Sequence, residues 1–217
     1  GLGTTFARGN IFVGQGSGGT GGALNSVLDL SGLDTFDADV NHILLGDGGI
    51  AGFFINRPVG TIYFARTNNL RLWAVGNHPS AGGNANGGLL TGISAQNGDS
   101  SRFGRYILGY TNVILCNSGI TFGSRGFGGW LGFNSSNAPG ESYAYFRNLA
   151  NSGRQTRWSI ADRTGAGNGA SQNVSCELDF SRGVVDALVG TLTIGVNSQI
   201  NGLSGKVAFG AGTIDVN

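Results

Sequence analysis

The chain has 217 residues and a net charge of +1; glycine contributes 42 residues, hydrophobic residues 40% and charged residues only 12%. This hydrophobic content excludes a disordered glycine-rich linker, and three prolines without a G-X-Y period exclude collagen. The sequence has neither the basic stripe typical of nucleic-acid binding nor an apolar run of about 18 residues, so we expect no nucleic-acid partner and no membrane insertion.

Short strand patterns bounded by Gly, Asn, Ser or Asp follow one another along the chain, and helical periodicity is nearly absent. A first type of strand ends in glycine or a near equivalent and is followed by a segment of variable length rich in Gly, Asn and Ser. Its copies are residues 11–14, 43–46, 72–76, 120–123, 158–162 and 192–195.

Two further strand types follow each variable segment, and a short polar turn separates them. The second type occurs at residues 27–30, 61–64, 105–108, 142–146, 176–180 and 206–209. The third type occurs at residues 35–40, from 70 onward, at 113–116, as a degraded copy near 154–157, and at 184–189 and 213–216. The second type recurs at separations of about 34, 44, 37, 34 and 30 residues, which is typical of a repeat architecture.

Units of two or three short strands bury their apolar side only when they stack on one another. The repeat therefore predicts an all-β fold without significant helix: a single-stranded, right-handed parallel β-solenoid of about six coils. We expect one domain over residues 1–217, with coils near 10–40, 41–76, 77–118, 119–157, 158–190 and 191–217. Alternation places Asp179, Ser181 and Thr193 outside. It places the following residues inside: Leu178, Phe180, Leu188, Leu192 and Ile194.

Six runs of the chain carry a family resemblance: LDLSGLDTFDADV (28–40), RPVGTIYFARTNNL (57–70), YILGYTNVI (106–114), WSIADRTGAG (158–167), LDFSRGVVDALVGTLTIGVN (178–197) and GAGTIDVN (210–217). From about residue 28 to residue 217, the chain resembles the autotransporter-like, glycine-rich β-solenoid surface proteins of Verrucomicrobia, Planctomycetes and related bacteria. The resemblance implies an extracellular or cell-surface β-solenoid with a structural or adhesive role and no assigned catalytic residues.

Outward carboxylates are the candidates for catalysis, because a glycosidase needs two carboxylates about 5 to 9.5 Å apart. The candidates are Asp29, Asp37, Asp39, Asp179 and Asp186. Asp29 and Asp179 occupy equivalent positions, but in coils several rungs apart. A lyase needs a Lys or Arg base near calcium-binding carboxylates, and Lys206 is the only lysine. We expect no enzyme activity; a polysaccharide lyase or hydrolase is the third alternative for function.

No pattern indicates a metal or a cofactor. His42 and His78 lie in loop sequences without a third ligand nearby, and the glycine-rich run at 14–22 lacks the lysine and the helix of a phosphate loop. Thr191 and Thr193 form one Thr-x-Thr pair, which an ice-binding face would repeat on successive coils. The equivalent positions do not repeat it: Phe12, Leu44, Trp73, Thr121 and Ser159.

Two cysteines and two Asn-x-Ser acceptors are further candidate sites. Cys116 belongs to the third strand type of coil three and Cys176 to the second type of coil five, so their Cα atoms should exceed the roughly 7 Å limit for a disulfide. We therefore expect buried free thiols. Asn134 and Asn173 match the N-glycosylation acceptor pattern, which a chain rich in Asn and Ser also produces by chance.

The two ends of the chain give the leading functional hypothesis. The run 190–217 stops within a strand pattern and the chain starts at Gly1 without methionine, so we expect a mature or partial chain. Uncapped edge strands recruit further strands, which predicts a structural protein that assembles with copies of itself head-to-tail into a filament or surface layer. The proposed edge residues are Phe6, Ile11, Val13, Thr213, Ile214 and Val216.

The second hypothesis is an adhesive or carbohydrate-binding module with a polysaccharide as its partner. Exposed aromatic rings would form the sugar platform, and the candidates are Trp73, Trp130, Tyr143 and Tyr145. Strand alternation favours an inward orientation for most of these rings, which would count against this hypothesis.

Overall fold

The computed structural model describes residues 8–15, 25–47, 59–73, 88–91, 103–123, 128–161, 174–196 and 203–217. Within these ranges the chain forms fifteen β-strands and no helix. Phe6, His78 and Asn173 lie outside them. The strands are β1 (Ile11–Gln15), β2 (Asn25–Asp29), β3 (Thr35–Val40), β4 (Ile43–Asp47), β5 (Val59–Tyr63), β6 (Thr67–Leu72), β7 (Leu89–Thr91), β8 (Phe103–Leu108), β9 (Thr111–Cys116), β10 (Gly119–Phe122), β11 (Gly128–Phe133), β12 (Ser142–Arg147), β13 (Gln155–Ile160), β14 (Val174–Ile194) and β15 (Leu203–Val216).

Three stacks of parallel strands wind around one axis, which confirms the predicted parallel β-solenoid. Stack 1 contains β1, β4, β7, β10, β13 and the end of β14. Stack 2 contains β2, β5, β8, β11 and the beginnings of β14 and β15. Stack 3 contains β3, β6, β9, β12, the middle of β14 and the end of β15. Each stack therefore has six described rungs.

The hydrophobic core fills the space between the stacks, and it is built from columns that take one residue from each coil. Aromatic rings connect successive coils: Tyr106 of stack 2 stacks across the core on Phe122 of stack 1 with 5.6 Å between ring centroids, and within stack 2 Phe180 stacks on Phe209 at 6.1 Å. Full burial of one such side chain contributes about 1.5–3 kcal/mol. The stacking of coils is thus what makes short strands stable.

The third rung of stack 1 differs from the sequence analysis. Residues 72–76 were expected there, but Leu72 ends β6 and pairs with Val40 and Cys116 in stack 3, and residues 74–76 lie outside the described ranges. The rung is β7, between β4 and β10. Its sequence LLT is followed by Gly92 and matches the glycine-terminated motif, but a glycine- and asparagine-rich run surrounds it.

The fourth coil also differs. Residues 142–146 were expected in the second strand type, but they belong to β12, where Tyr143 pairs with Thr111 and Val184 in stack 3. The fourth rung of stack 2 is β11. The degraded third copy expected near 154–157 is the start of β13 in stack 1. The sequence GGWLGF of β11 has the glycine content of a turn, and only its pairing with two neighbouring strands makes it a strand.

The alternation in β14 changes phase at its corners. Leu178 and Phe180 point inward as expected, but a register shift between Phe180 and Val184 moves the inward set to Val185, Ala187 and Val189. Leu188 is therefore an outward, half-buried residue, and its predicted inward orientation is wrong. One extra residue at a corner reverses which side chains face the core, because the period of a strand is two.

The corner after stack 1 requires a left-handed backbone. The glycine that ends the first strand type has φ +77° at Gly14, +76° at Gly46, +76° at Gly123 and +68° at Gly195, while Ala161 has φ +58° at the equivalent position. Glycine adopts this conformation without the penalty of about 1–2 kcal/mol that a side chain incurs. The repeated terminal glycine is thus a corner requirement.

The cysteines lie where the strand assignment placed them. Cys116 ends β9 in stack 3 and Cys176 lies in the stack 2 part of β14; both are buried and free. Among the described residues, no helix is long and apolar enough to cross a membrane.

Candidate functional site

An open cleft of about 550 Å³ lies on the outward side of stack 2. Its lining comes from alternate residues of successive rungs, because residues at i and i+2 share one side of a strand. Arg105, Trp130 and Glu177 form one column on three neighbouring strands. Its other lining residues include Tyr63, Ile107, Asp179 and Arg182.

Trp130 forms the floor of this cleft. It is half-buried, whereas the adjacent Leu131 points into the core and is fully buried. A β-carbon placed on Gly132 would lie 2.6 Å from Cη2 and Cζ2 of Trp130. The indole ring therefore folds over Gly132 on its own strand, and a side chain at position 132 would force the ring or the Asp179 backbone to shift.

Charged groups of both signs surround the indole. Lys206 donates to Glu177 Oε1, and this hydrogen bond, followed by the charge of Glu177, raises the pKa of Lys206. Asp179 Oδ1 accepts from the Ser181 amide at 3.0 Å and from the Ser181 hydroxyl at 2.5 Å. Arg182 donates to the carbonyl oxygens of Ser135 and Asn137 at 3.0 and 2.9 Å. The cleft thus presents ordered polar groups without a dominant charge.

The candidate catalytic carboxylates do not lie close enough to one another to form a catalytic pair. Asp29 and Asp179 occupy one column, as expected, with Tyr63, Ile107 and Gly132 between them. Four sheet spacings separate them by about 19 Å, which is too far for a glycosidase pair. Hydrogen bonds from the Ser31 hydroxyl and amide lower the pKa of Asp29.

The other three candidate carboxylates lie on stack 3, and each is bound to another side chain. Asp37 accepts from Asn69 at 2.7 Å, Asp39 pairs with Arg8, and Asp186 pairs with Arg147 at 2.7 Å. Glu177 was not among the candidates, although it lies two residues before Asp179 with the core residue Leu178 between them. That spacing was the available signal that both carboxylates share one side of the strand.

The candidate aromatic platform points outward, contrary to the expectation for most of its rings. Trp73, Trp130, Tyr143 and Tyr145 are all half-buried. Tyr143 and Tyr145 stack with 6.5 Å between centroids on stack 3, where Ser142, Ala144 and Phe146 take the inward positions of β12. The guanidinium of Arg147 lies 4.2 Å from the Tyr145 ring centroid, and that of Arg8 lies 3.8 Å from Trp73. Only Trp130 belongs to the cleft.

The remaining candidates are placed as follows. Asn134 Oδ1 accepts from the Ser136 amide at 3.0 Å and hydroxyl at 2.9 Å. In the column of Thr193 the third residue is Leu90 rather than Trp73, so the Thr-x-Thr pair still does not repeat. No group of three His, Cys, Asp or Glu side chains within the described ranges could hold a metal ion.

The first and last coils present open strand edges. Over the part of the chain that the structure describes, β1, β2 and β3 each pair on one side only, with β4, β5 and β6, and β15 pairs only with β14. Among the described residues, the exposed large hydrophobic side chains all lie in these two coils: Phe12, Val27, Leu33, Ile194, Val196, Phe209 and Val216.

The edge residues named from the sequence lie in two different stacks. Ile11 and Val13 belong to stack 1, and Val13 is buried in the core. Thr213, Ile214 and Val216 belong to stack 3. The two sets are therefore not opposite each other along the axis.

No protein-family model, no curated protein and no solved structure matches the chain.

Proposed function

We propose that this protein is a structural, self-assembling component of an extracellular or cell-surface layer, in which solenoids join head-to-tail. The single observation that supports the proposal most is the confinement of exposed large hydrophobic side chains, among the described residues, to the first and last coils. Within the described part of the chain, the strands of both coils also pair on one side only, and such edges recruit further strands.

The occupant of each open edge is a second copy of this chain. The first coil of one copy adds a seventh rung to each stack of the next: β1 pairs with the end of β14, β2 with the beginning of β15, and β3 with its end. Core columns then continue across the junction, because Phe209 stacks on Phe180 and still leaves 43% of its surface exposed at the last rung. Such a contact is heterologous and does not close, so it produces a filament.

Electron microscopy and sedimentation velocity of the purified 217-residue chain test assembly. We expect filaments of constant width whose length increases with protein concentration. Phe209→Glu places a charge in the core column at the open edge and should abolish filaments. Thr111→Glu is the matched control, since Thr111 is an exposed residue of an internal rung, and should leave them intact. Monodisperse monomers at high concentration would contradict the proposal.

The location at the cell surface follows from the family resemblance alone. Antibody labelling of intact cells of the source organism tests it, and labelling that requires cell lysis would contradict it.

A further inference from the structure

We propose that the cleft on stack 2 binds an uncharged polysaccharide, with Trp130 as the stacking platform and Arg105, Glu177 and Asp179 as hydrogen-bonding groups. This site is independent of the proposed assembly, because its lining residues belong to the second to fifth coils. The open strand edges of the proposed assembly belong to the first and sixth coils.

The stacking platform follows from the position of the indole. Ring atoms Cζ2 and Cη2 of Trp130 cover Gly132 on the outward side of the sheet, so the indole is backed by its own strand and its exposed part faces the cleft. Trp offers the largest apolar surface of any side chain together with a polar N–H, which suits a contact that is apolar on one side and wet on the other. A pyranose ring presents a flat set of C–H groups that packs on such a face.

The charges favour a ligand without net charge. Arg105 flanks Trp130 on one neighbouring strand and Glu177 flanks it on the other. Asp179 and Arg182 add one more charge of each sign. An acidic polymer would meet the carboxylates of Asp179 and of Glu177, the latter paired with Lys206, and a basic one would meet Arg105 and Arg182. Hydroxyl groups both donate and accept, so they satisfy both sets at once.

The dimensions favour a chain of sugars over a single sugar. The lining extends from Tyr63 in the second coil to Asp179 in the fifth, which is three sheet spacings or about 14 Å. The cleft is open, so a polymer can continue beyond it in both directions along the solenoid.

An array of uncharged oligosaccharides of glucose, mannose, galactose and xylose, with polygalacturonate fragments beside them, tests the site with the full 217-residue chain. We expect binding to at least one uncharged chain, followed by titration calorimetry of that chain. Trp130→Ala should weaken the affinity about tenfold or more, which corresponds to about 1.4 kcal/mol. Tyr145→Ala, a half-buried outward ring on stack 3, is the matched control and should leave it unchanged.

Two further variants keep the test decisive if Trp130→Ala does not fold. Arg105→Ala alters an exposed residue and should weaken binding several-fold, and Trp130→Phe should retain part of the affinity because it keeps a flat ring. The absence of binding to every uncharged chain would overturn the proposal. Binding confined to polygalacturonate would overturn the ligand class, and equal affinities of wild type, Trp130→Ala and Arg105→Ala would overturn the site.

Discussion

The side-chain amide of Asn68 donates a 2.8 Å hydrogen bond to Oδ1 of Asn112 on the next rung, and both residues are fully buried. Asn68 also donates to the Ala65 carbonyl at 2.8 Å, and Asn112 donates to the carbonyls of Gly109 and Tyr143 at 3.0 Å. These bonds satisfy main-chain groups at the corner between stacks 2 and 3, where the ladder of strand hydrogen bonds is interrupted. Two buried amides thus link three successive coils.

Asn112→Leu keeps the side-chain volume but removes these bonds. We expect the free energy of unfolding to decrease by about 3 kcal/mol, because buried carbonyls lose their donors. Urea denaturation followed by circular dichroism measures the change. Asn69→Leu is the control, since Asn69 is exposed and bonded only to an exposed side chain among the contacts described above; it should cost less than about 1 kcal/mol. Equal effects of the two variants would contradict the structural role of Asn112.

A column of inward glycines brings stack 2 close to stack 1. A β-carbon on Gly60 would lie 2.1 Å from the carbonyl oxygen of Val13, and one on Gly104 would lie 3.0 Å from Cβ of Leu45. Gly60→Ala therefore forces backbone apart and should destabilise the fold by about 3 kcal/mol. Gly32→Ala has nothing within 4 Å of the added carbon and should be nearly neutral in the same thermal unfolding experiment. A tolerated Gly60→Ala would contradict the close approach.

The Tyr106 hydroxyl crosses the core from stack 2 to stack 1. It accepts from the Leu90 amide at 3.0 Å and lies 2.6 and 2.7 Å from the carbonyl oxygens of Ile43 and Leu90. Tyr106→Phe leaves these buried groups without this partner and should cost about 1–3 kcal/mol. Tyr145→Phe, whose ring lies on the outer side of stack 3, should change the unfolding midpoint little. A Tyr106→Phe midpoint equal to that of wild type would contradict this prediction.

Burial raises the pKa of the Cys176 thiol to about 12, from an ordinary value near 9. The folded state therefore keeps a proton that the unfolded state releases, so this contribution to stability is complete below about pH 9 and decreases as pH rises toward 12. The expected loss is about 1.4 kcal/mol per pH unit within this range.

Cys176→Ala should remove this part of the alkaline destabilisation. The measurement is the urea midpoint at several values between pH 8 and pH 11, compared with wild type. Cys116 and Tyr106, whose pKa values are also raised mainly by burial, leave a residual pH dependence in the variant. Parallel curves for wild type and Cys176→Ala would contradict the prediction.

Most of the fold could be predicted from the sequence because three of its signals are local. A glycine follows the strand at Gly14, Gly46 and Gly195, where the backbone requires positive φ. Strand-like runs separated by turn residues predicted the solenoid, and the spacing of Cys116 and Cys176 placed them in different stacks. These conclusions needed no knowledge of which strands are neighbours.

The strand and orientation assignments that are wrong concern residues whose structure depends on the neighbouring strands. GGWLGF of β11 becomes a strand because Trp130 pairs between Arg105 and Glu177, and both partners are distant in the chain. Leu188 is outward because a register shift at the preceding corner reverses the phase of β14. The rings of Tyr143 and Tyr145 are outward because the alternation of β12 places Ser142, Ala144 and Phe146 inside. Neither pairing nor corner length is encoded in the alternation of the strand itself.

The sequence by itself determined the class of fold, the repeated corner and the residues that alternate, since these follow from local backbone preference and period-two hydrophobicity. Tertiary structure decided which set of alternate residues faces the core in each coil and which side chains share a column. The cleft above Trp130 exists for that reason: its residues come from the second to fifth coils, and only the parallel register between those coils brings them to one surface.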